Sequence, residues 1–478
     1  MNHQLRKLGI LVCLMLCVTM VMAQQAPVDS VAESGNKWLR VADETAALSG
    51  MENAVVSQSQ AVGENQLTIG LQMLSHGEMR KGGLDGTKEE EKTVENNAYF
   101  LMERSRLTID YKRPRLETKL VAQHKGIWGQ KGQGSLNLYE AWVKMNTRGG
   151  LFAQIGRQAL SYDDERIIGT NDWAMAALSH DVLRMGYEGH GHQAHLILAY
   201  NQNAENTYGG TYYTDGAQPY KTMHTLWYHY DLPKIPLGAS LLFMNIGMQG
   251  GEKNRTGDNA PHTRYQQLAG VYLSYKPRNL KAEASYYRQM GRNEENGKIE
   301  AWMASIKASY QLNSQWSLLA GYDYLSGDDY LAVRGKSQFG TPRHEVYKGF
   351  NSVYGSHHKF YGLMDFFYVK TYLDEFTPGL QNLYAGTTYS PVKLLSFKLT
   401  YHYMATATKL DEINMTLGHD IDFEAAYQIM RDVRLSVGFS YMTGTETMQK
   451  LKLADNNNNL RWGWFSLAVS PSFFTSGW

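Results

Sequence analysis

The stretch Phe397-Lys398-Leu399-Thr400-Tyr401-His402-Tyr403 alternates between apolar and polar side chains. Successive side chains of a β-strand point to opposite faces, so this pattern predicts a strand with one apolar and one polar face. The pattern returns in Leu107-Thr108-Ile109-Asp110-Tyr111 and in Leu435-Ser436-Val437-Gly438-Phe439-Ser440-Tyr441, and similar runs recur from about residue 98 to the C-terminus. One such run suits any β-protein, but this recurrence predicts an all-β fold built from two-faced strands.

The connections between these runs are of two kinds, and the two kinds alternate. Short turns are predicted at 112–114, 147–150, 188–191, 231–233, 276–279, 312–314, 390–392 and 430–432. Longer polar stretches lie at 75–97, 127–136, 159–179, 201–220, 247–262, 291–298, 405–416 and 443–460. Short periplasmic turns that alternate with long extracellular loops are typical of an antiparallel transmembrane β-barrel.

The alternation also predicts the number of strands. The first strand is expected near residues 65–74, and the barrel domain over residues 64–478. The stretch 358–370 resembles a strand, but counting it breaks the alternation. We therefore treat 326–378 as one long outer loop, with room for a hairpin of its own. About 18 strands result, an even number, as in single-chain bacterial barrels.

The N-terminus predicts export. Arg6 and Lys7 precede an apolar run that ends at Ala23, as in a secretory signal peptide over residues 1–23. An uncleaved anchor is the alternative. Cys13 and Cys17 would leave with the signal, which excludes disulfides in the mature chain. Residues 24–63 fit no strand pattern and are expected to form a periplasmic tail or a small plug.

Composition restricts the partners. The chain has 47 basic and 46 acidic residues, which gives no electrostatic reason to propose nucleic acid as a partner. A mean hydropathy of −0.43 argues against a bundle of membrane helices. The 12% aromatic content suits girdles at the two lipid interfaces of a barrel in the outer membrane of a Gram-negative bacterium. The aromatic-rich C-terminal strand, which ends at Trp478, suits recognition by the barrel-assembly machinery.

The polar face of each strand should line the lumen. Tyr139, Ala141 and Val143 are expected to face lipid, which directs Glu140 and Lys144 inward. The basic candidates for the pore lining on strands are Arg104, Arg106, Lys119, Lys144, Arg184, Lys307 and Lys398. The acidic candidates are Asp110, Glu140, Asp420, Asp422 and Glu424. These charges could select permeants by sign, or they could pair across the wall and stiffen the barrel.

The sequence gives little indication of a catalytic or metal-binding site. The chain has no HExxH, P-loop, GxSxG or EF-hand pattern. His190, His192 and His195 flank a turn without a carboxylate at supporting spacing, and His357 lies in the long loop. We therefore predict no enzyme activity, no cofactor and no metal site.

One stretch carries a family resemblance. Residues 156–169, read Gly-Arg-Gln-Ala-Leu-Ser-Tyr-Asp-Asp-Glu-Arg-Ile-Ile-Gly and followed by Asp172-Trp173 and His180-Asp181, resemble the hallmark of alginate-export outer-membrane porins. The second match is Leu417 to Phe423, followed by Gly438 to Tyr441, and the resemblance spans roughly residues 65–478. The matching loop residues are Gly156, Arg157, Gln158, Tyr162, Asp164, Arg166, Gly169, Trp173 and Asp181.

The resemblance implies an 18-stranded barrel that lets a polyanionic polysaccharide pass through an arginine-rich constriction. The resemblance also implies passive transport. Because the predicted lumen carries both signs, with a cationic excess in its first third, we expect passage of anionic saccharides or other small anionic solutes and leave alginate itself open. Arg157 and Arg166 could contact the permeant, or they could pair with Asp163 and Asp164 to brace the loop. The alternatives are a barrel-borne hydrolase with a lumenal or rim active site, and a plugged structural or adhesin barrel that acts through loop 326–378.

Overall fold

The computed structural model describes residues 65–82, 97–132, 134–202, 220–250, 262–294, 296–328, 346–367, 377–410, 413–452 and 459–478. The predicted signal peptide and the 24–63 segment lie outside these residues. The described residues belong to one compact unit that spans residues 44–478. Within them, no helix has the length and hydropathy that a membrane-spanning helix requires.

Eighteen long strands account for most of the described chain. They are β1 Gln66–Lys81, β2 Asn97–Arg113, β3 Leu116–Ile127, β4 Ser135–Asn146, β5 Leu151–Gln158, β6 His180–Gly189, β7 His192–Tyr200, β8 Thr222–Asp231, β9 Leu237–Gly250, β10 His262–Tyr275, β11 Leu280–Arg292, β12 Lys298–Gln311, β13 Trp316–Leu325, β14 Leu380–Val392, β15 Leu395–Ala405, β16 Thr416–Met430, β17 Val433–Gly444 and β18, which has two segments, Asn459–Val469 and Ser472–Gly477. A short helix, α1 (Glu446–Lys452), lies between β17 and β18.

The strands form a closed barrel. Each strand pairs antiparallel with the next one along the chain, and both segments of β18 pair with β1. The two segments are separated at Pro471, which has no amide hydrogen for the ladder, while its carbonyl still accepts from Leu71 at 3.0 Å. Closure leaves no free sheet edge for lipid to contact. The predicted antiparallel barrel of 18 strands is confirmed.

The predicted alternation of turns and loops is also confirmed. The largest shift is at β1, which extends to Lys81, so the first long loop begins at residue 82 rather than 75. Among the short turns, the one after β14 is formed by residues 393–394 rather than 390–392. In segment 326–378, the described part contains no hairpin. Val346–Tyr347 pairs in parallel with β12, and His357–Lys359 is a 3-10 turn. Positive φ angles at Tyr361 and Gly362 prevent a regular strand there.

The two faces of the wall differ as alternation requires. Leu107 is 43% exposed on the lipid side, whereas its neighbour Arg106 is 2% exposed inside. The prediction for Tyr139 is wrong. The register between β3 and β4 shifts at Val121, where a bulge at Tyr139 turns this ring inward beneath the Arg106 guanidinium, 3.8 Å from the ring centre. A bulge adds one residue to a strand, so it reverses the face assigned by simple alternation.

Candidate functional site

Two segments from the long-loop end of the barrel fold back into the lumen. We call them inner loop A (residues 159–179) and inner loop B (residues 346–367). Leu160 and Ile168 of inner loop A and Phe366 of inner loop B are almost completely buried. They belong to one hydrophobic cluster with inward-facing wall residues such as Met244. The candidate site is therefore a lumen partly filled by two packed loops.

The entry to inner loop A depends on a glycine. Gly156 lies in β5 opposite Trp142 with φ +122°, and an added Cβ would lie 2.2 Å from the carbonyl oxygen of Ala141. Only glycine allows this close approach without strain. Gln158 ends the strand, and its amide donates to the Val182 carbonyl at 3.3 Å. These two motif residues thus direct the chain from the wall into inner loop A.

The two inner loops are joined through their backbones. Ile168 and Tyr354 form a parallel bridge in which the Gly169 amide donates to the Tyr354 carbonyl at 2.9 Å. The Ser356 hydroxyl donates to the Glu165 carboxylate at 2.8 Å. Gly169 fits tightly here, because an added Cβ would lie 2.4 Å from the Ser356 oxygen. The motif residue Gly169 therefore serves loop-to-loop packing.

Arg166 clamps inner loops A and B to the wall. Its guanidinium pairs with Asp164 at 3.3 Å and with Asp323 of β13 at 3.1 Å, and it donates to the Tyr361 hydroxyl at 2.9 Å. The side chain is only 1% exposed. Because these contacts use the guanidinium and cover it, the geometry favours the bracing alternative for Arg166 over contact with a permeant.

Tyr162 and Asp163 anchor the other side of inner loop A. The Tyr162 hydroxyl lies 2.9 Å from His195 Nδ1, and His195 Nε2 lies 3.1 Å from Glu188. The Trp227 indole donates to Asp163 at 3.2 Å. Burial raises the pKa of the Asp163 carboxyl to about 6, against hydrogen bonds from Ser240 and Trp227 that lower it. This carboxyl therefore changes charge near neutral pH.

The two arginines of β2 are covered by inner loop A. Asp172 lies 3.1 Å from the Arg104 guanidinium and 2.8 Å from that of Arg106. The Asp172 carbonyl also accepts from Arg104 at 2.9 Å, and Gln123 accepts from Arg106 at 2.8 Å. Both arginines face inward, as alternation predicts. One carboxylate of inner loop A thus contacts both guanidinium groups.

Most other predicted lumenal charges are paired along the wall. The ion pairs are Lys119–Glu140 at 3.0 Å, Lys144–Glu188 at 3.9 Å, Lys307–Glu283 at 3.1 Å and Lys398–Glu424 at 2.9 Å. Arg184 donates to Gln154 at 2.5 Å, and Asp110 lies opposite Lys119 in the strand register. Such pairing agrees with the stiffening alternative, while the partial exposure of Lys119 and Lys144 leaves them within reach of solvent.

Arg157 lies on the outer face, so it does not line the lumen as the motif suggested. It forms a bidentate pair with Asp181 at 2.8 and 2.7 Å. Arg157 and Asp181 are opposite each other in the register, two residues along the strands from the pair Ile155–Leu183. Ile155 is 55% exposed on the lipid side. Two-residue periodicity places Arg157 on the same face as Ile155.

The acidic candidates anchor inner loop B. Asp422 accepts from the Leu363 amide at 3.0 Å and from the Ser440 hydroxyl. Asp420 is completely buried beside Gly362, where an added Cβ would lie 2.6 Å from its carboxylate. Glu424 instead pairs with Lys398. These carboxylates hold a loop, so they do not form an exposed acidic ring.

Sequence reasoning missed the aromatic contacts of the inner loops. Trp173 stacks on His358 with ring centres 4.2 Å apart, and it meets Trp464 edge-on at 4.6 Å. Lys359 pairs with Glu165 at 2.8 Å. No periodicity links residues so far apart in sequence. The only indication in the sequence was the alternation within β18, which places Trp464 on the lumenal face.

The histidines do not form a metal centre in the described part of the chain. His195 is used by Tyr162 and Glu188, and His192 lies 2.8 Å from the Tyr228 hydroxyl. Among the described residues, no group of three or more His, Cys, Asp or Glu is arranged to hold a metal ion.

The sequence matches one family. The alginate export family profile matches residues 123–426, which is more than half of the chain and includes both inner loops. No curated protein sequence matches at a significant level.

Solved structures give the same architecture. OccK2 (OpdF) of Pseudomonas aeruginosa has 11% identity and a TM-score of 0.55, with 85% of this chain and 98% of that chain covered. A BenF-like porin from Pseudomonas fluorescens Pf-5 has 11% identity and a TM-score of 0.56, with 85% and 99% covered. A second structure of OccK2 is a complex with glucuronate, with 12% identity, a TM-score of 0.55 and 85% and 98% covered. At such identities the likeness establishes the fold alone.

Proposed function

Because the chain belongs to the alginate-export family, we propose that it is an outer-membrane channel through which anionic saccharides or other small anionic solutes diffuse. The family membership and the closed barrel indicate the outer membrane of a Gram-negative bacterium. The proposal concerns the charge of the permeant and the passive mode of passage.

The proposal rests on the charge of the short-turn mouth, which is the end of the barrel formed by the eight short turns between strands. All eight short turns are described, and they present nine exposed cations: Lys112, Arg113, Arg115, Arg148, Lys234, Lys276, Arg278, Lys393 and Arg431. Only three carboxylates, Glu188, Asp231 and Asp432, lie on the same turns. A mouth with this surplus raises the local concentration of anions and repels cations. It faces the periplasm if the long loops are extracellular.

One side of the lumenal wall, from β2 to β6, also carries positive charges. Arg104, Arg106, Lys119, Lys144 and Arg184 lie on neighbouring strands from β2 to β6, and all face inward. We propose that Lys119, Lys144 and Arg184, which are only partly covered, contact the permeant. The covered pair Arg104 and Arg106 lies on the same side of the lumen, where the Asp172 carboxylate contacts both guanidinium groups.

A plugged barrel is the second candidate. The packing of inner loops A and B inside the wall is the observation that favours it. Such a barrel would act as an adhesin or assembly partner and would not conduct. The hydrolase alternative has less support, because Tyr162, in the Tyr162–His195–Glu188 chain, is only 5% exposed. We therefore propose that the chain is not an enzyme.

Export and assembly complete the proposal. Residues 1–23 are proposed to be removed as a signal peptide, and residues 24–63 to remain in the periplasm. The C-terminal strand Ser472–Gly477, which closes the barrel on β1, is proposed to be recognised by the barrel-assembly machinery. Its aromatic residues Phe473 and Phe474 are both exposed.

A liposome flux assay tests the proposal. Proteoliposomes should take up glucuronate faster than glucose, although the neutral sugar is the smaller solute. Reversing Lys112, Arg113 and Arg115 to Glu should lower glucuronate uptake and leave glucose uptake unchanged. Equal effects on both sugars would mean that the variant narrows or misfolds the pore. Absence of uptake of either sugar would favour the plugged barrel.

A further inference from the structure

A recess lies under the inner loops, on their short-turn side. Its ceiling is formed by residues 170–173 of inner loop A and by Ser356, His358 and Lys359 of inner loop B. Its wall is formed by inward positions of β16, β17 and β18, among them Glu424, Arg434, Ser436, Trp464 and Ser466. A concave site with aromatic walls and a few convergent polar groups is typical of small-molecule sites in proteins.

Arg434 is a cation that the fold leaves available in the recess. Its guanidinium makes one long hydrogen bond to Ser436, at 3.4 Å, and it interacts electrostatically with Glu424 without forming an ion pair within 4 Å of any described carboxylate. In contrast, Lys359 pairs with Glu165 at 2.8 Å, and Glu424 pairs with Lys398 at 2.9 Å. A planar guanidinium that is not directly hydrogen-bonded to a carboxylate suits bidentate binding of one.

Two buried polar atoms at the recess also lack a partner. Trp464 is 7% exposed and His358 is 4% exposed. Trp464 Nε1 and His358 Nε2 make no hydrogen bond with the described residues. Buried polar groups normally have a partner, so two such atoms at one recess point to a ligand that supplies it.

The two atoms have complementary roles. The Trp464 indole can only donate a hydrogen bond. His358 Nδ1 lies 3.0 Å from the Asp365 carboxylate, which can only accept, so Nδ1 carries a proton. In the neutral form of the ring Nε2 is then an acceptor. A hydroxyl group both donates and accepts, so a ligand with several hydroxyls can satisfy both atoms. Small polyols and sugars have this property, whereas a simple inorganic anion lacks donors.

The register gives the spacing. Gly438 is opposite Trp464 and Arg434 is opposite Ala468, so four residues of β17 separate the indole from the guanidinium. Four residues of a strand span about 13 Å, and the long Arg434 side chain shortens the gap. The hydroxyl groups of Ser436 and Ser466 lie between the two levels. Gly438 lets the indole lie close to the wall, because an added Cβ would be 2.3 Å from Trp464 Nε1.

We propose that this recess is a binding subsite for a uronate, a sugar that carries a carboxylate, with Arg434 holding the carboxylate. Trp464 Nε1 and His358 Nε2 bind hydroxyls, and the aromatic surfaces of Trp173 and Trp464 pack against the sugar ring. This inference rests on the proposed function and deepens it, since it assigns the place where an anionic saccharide pauses in the channel.

Binding of D-glucuronate to the full chain in detergent micelles, measured by calorimetry with D-glucose as the neutral probe, tests the subsite. The wild-type chain should bind glucuronate saturably and more tightly than glucose. R434Q should weaken glucuronate binding by about 10-fold to 100-fold, the value of a hydrogen bond to a charged group. R292Q, which removes an exposed cation from β11, outside both the recess and the short turns, should bind as the wild type does.

A second variant tests the hydroxyl contacts. W464F keeps an aromatic ring but removes the N–H donor, and it should weaken the binding of both sugars. Equal affinities of R434Q and R292Q for glucuronate, or a wild-type chain without saturable binding, would overturn the subsite. Because calorimetry needs no conduction, such a result is separate from a failure of the channel, which the salt-gradient potential of the same protein reports.

Discussion

Inner loop A should be released when Asp172 is replaced by Ala. The Asp172 carboxylate meets two guanidinium groups, at 3.1 and 2.8 Å, whose side chains are 0% and 2% exposed. Removing one partner of a buried ion pair typically costs about 3–5 kcal/mol, because the remaining charge stays buried without compensation. This cost shifts the docking equilibrium of inner loop A by about 100-fold to several thousandfold toward the undocked form. Two arginines then face the open lumen.

Single-channel recording in planar bilayers measures both consequences. D172A should conduct more current per channel than the wild type and should select more strongly for anions. The matched control is D181A, which removes a carboxylate from the other flank of inner loop A. Asp181 pairs with Arg157 on the outer face, where the two side chains are 43% and 38% exposed, so its loss should cost about 1 kcal/mol or less.

The comparison of D172A with D181A tests whether Asp172 holds inner loop A in the lumen. If D172A and D181A have the same conductance and the same reversal potential, then Asp172 neither docks inner loop A nor balances lumenal charge. The assignment of Arg104 and Arg106 as covered lumenal cations would then be wrong.

Three further predictions follow from the same structure. Replacing Gly156 with Ala should block barrel assembly, measured as loss of the heat-modifiable band on gels, because the added Cβ would lie 2.2 Å from the Ala141 carbonyl oxygen. Gly149→Ala, whose added Cβ would have its nearest neighbour at 4.0 Å, should assemble normally. The pKa of Asp163 is about 6 in the folded chain against a usual 3.8, so the ionised carboxylate opposes docking of inner loop A. As the pH falls from 7 to 4, inner loop A should therefore gain up to about 3 kcal/mol of protection from hydrogen exchange, and D163N should abolish this pH dependence. Arg157→Gln should leave the reversal potential unchanged, since this side chain lies outside the lumen; a shift would mean that it reaches the permeant.

The wall of the barrel could be predicted from the sequence because its physics is local. Two-residue periodicity orients Arg104, Arg106 and Leu107 correctly, and the alternation of turns and loops gives the strand number. The method fails where a local irregularity resets the phase, as the bulge at Tyr139 shows.

The inner loops could not be predicted in the same way. Their positions depend on contacts between residues far apart in sequence, such as Arg166 with Asp323 and Trp173 with His358. The family motif pointed to inner loop A, yet it did not reveal that Arg166 is a brace. The recess at Arg434 arises only when both inner loops are placed against β16 to β18.

The reversal potential of the purified channel in a planar bilayer under a KCl gradient tests the central claim most directly. The account predicts stable conductance with a potential displaced toward that of chloride, and a smaller displacement at high salt, where the charged mouth is screened. Strong cation selectivity, or the absence of conductance from correctly folded protein, would contradict it.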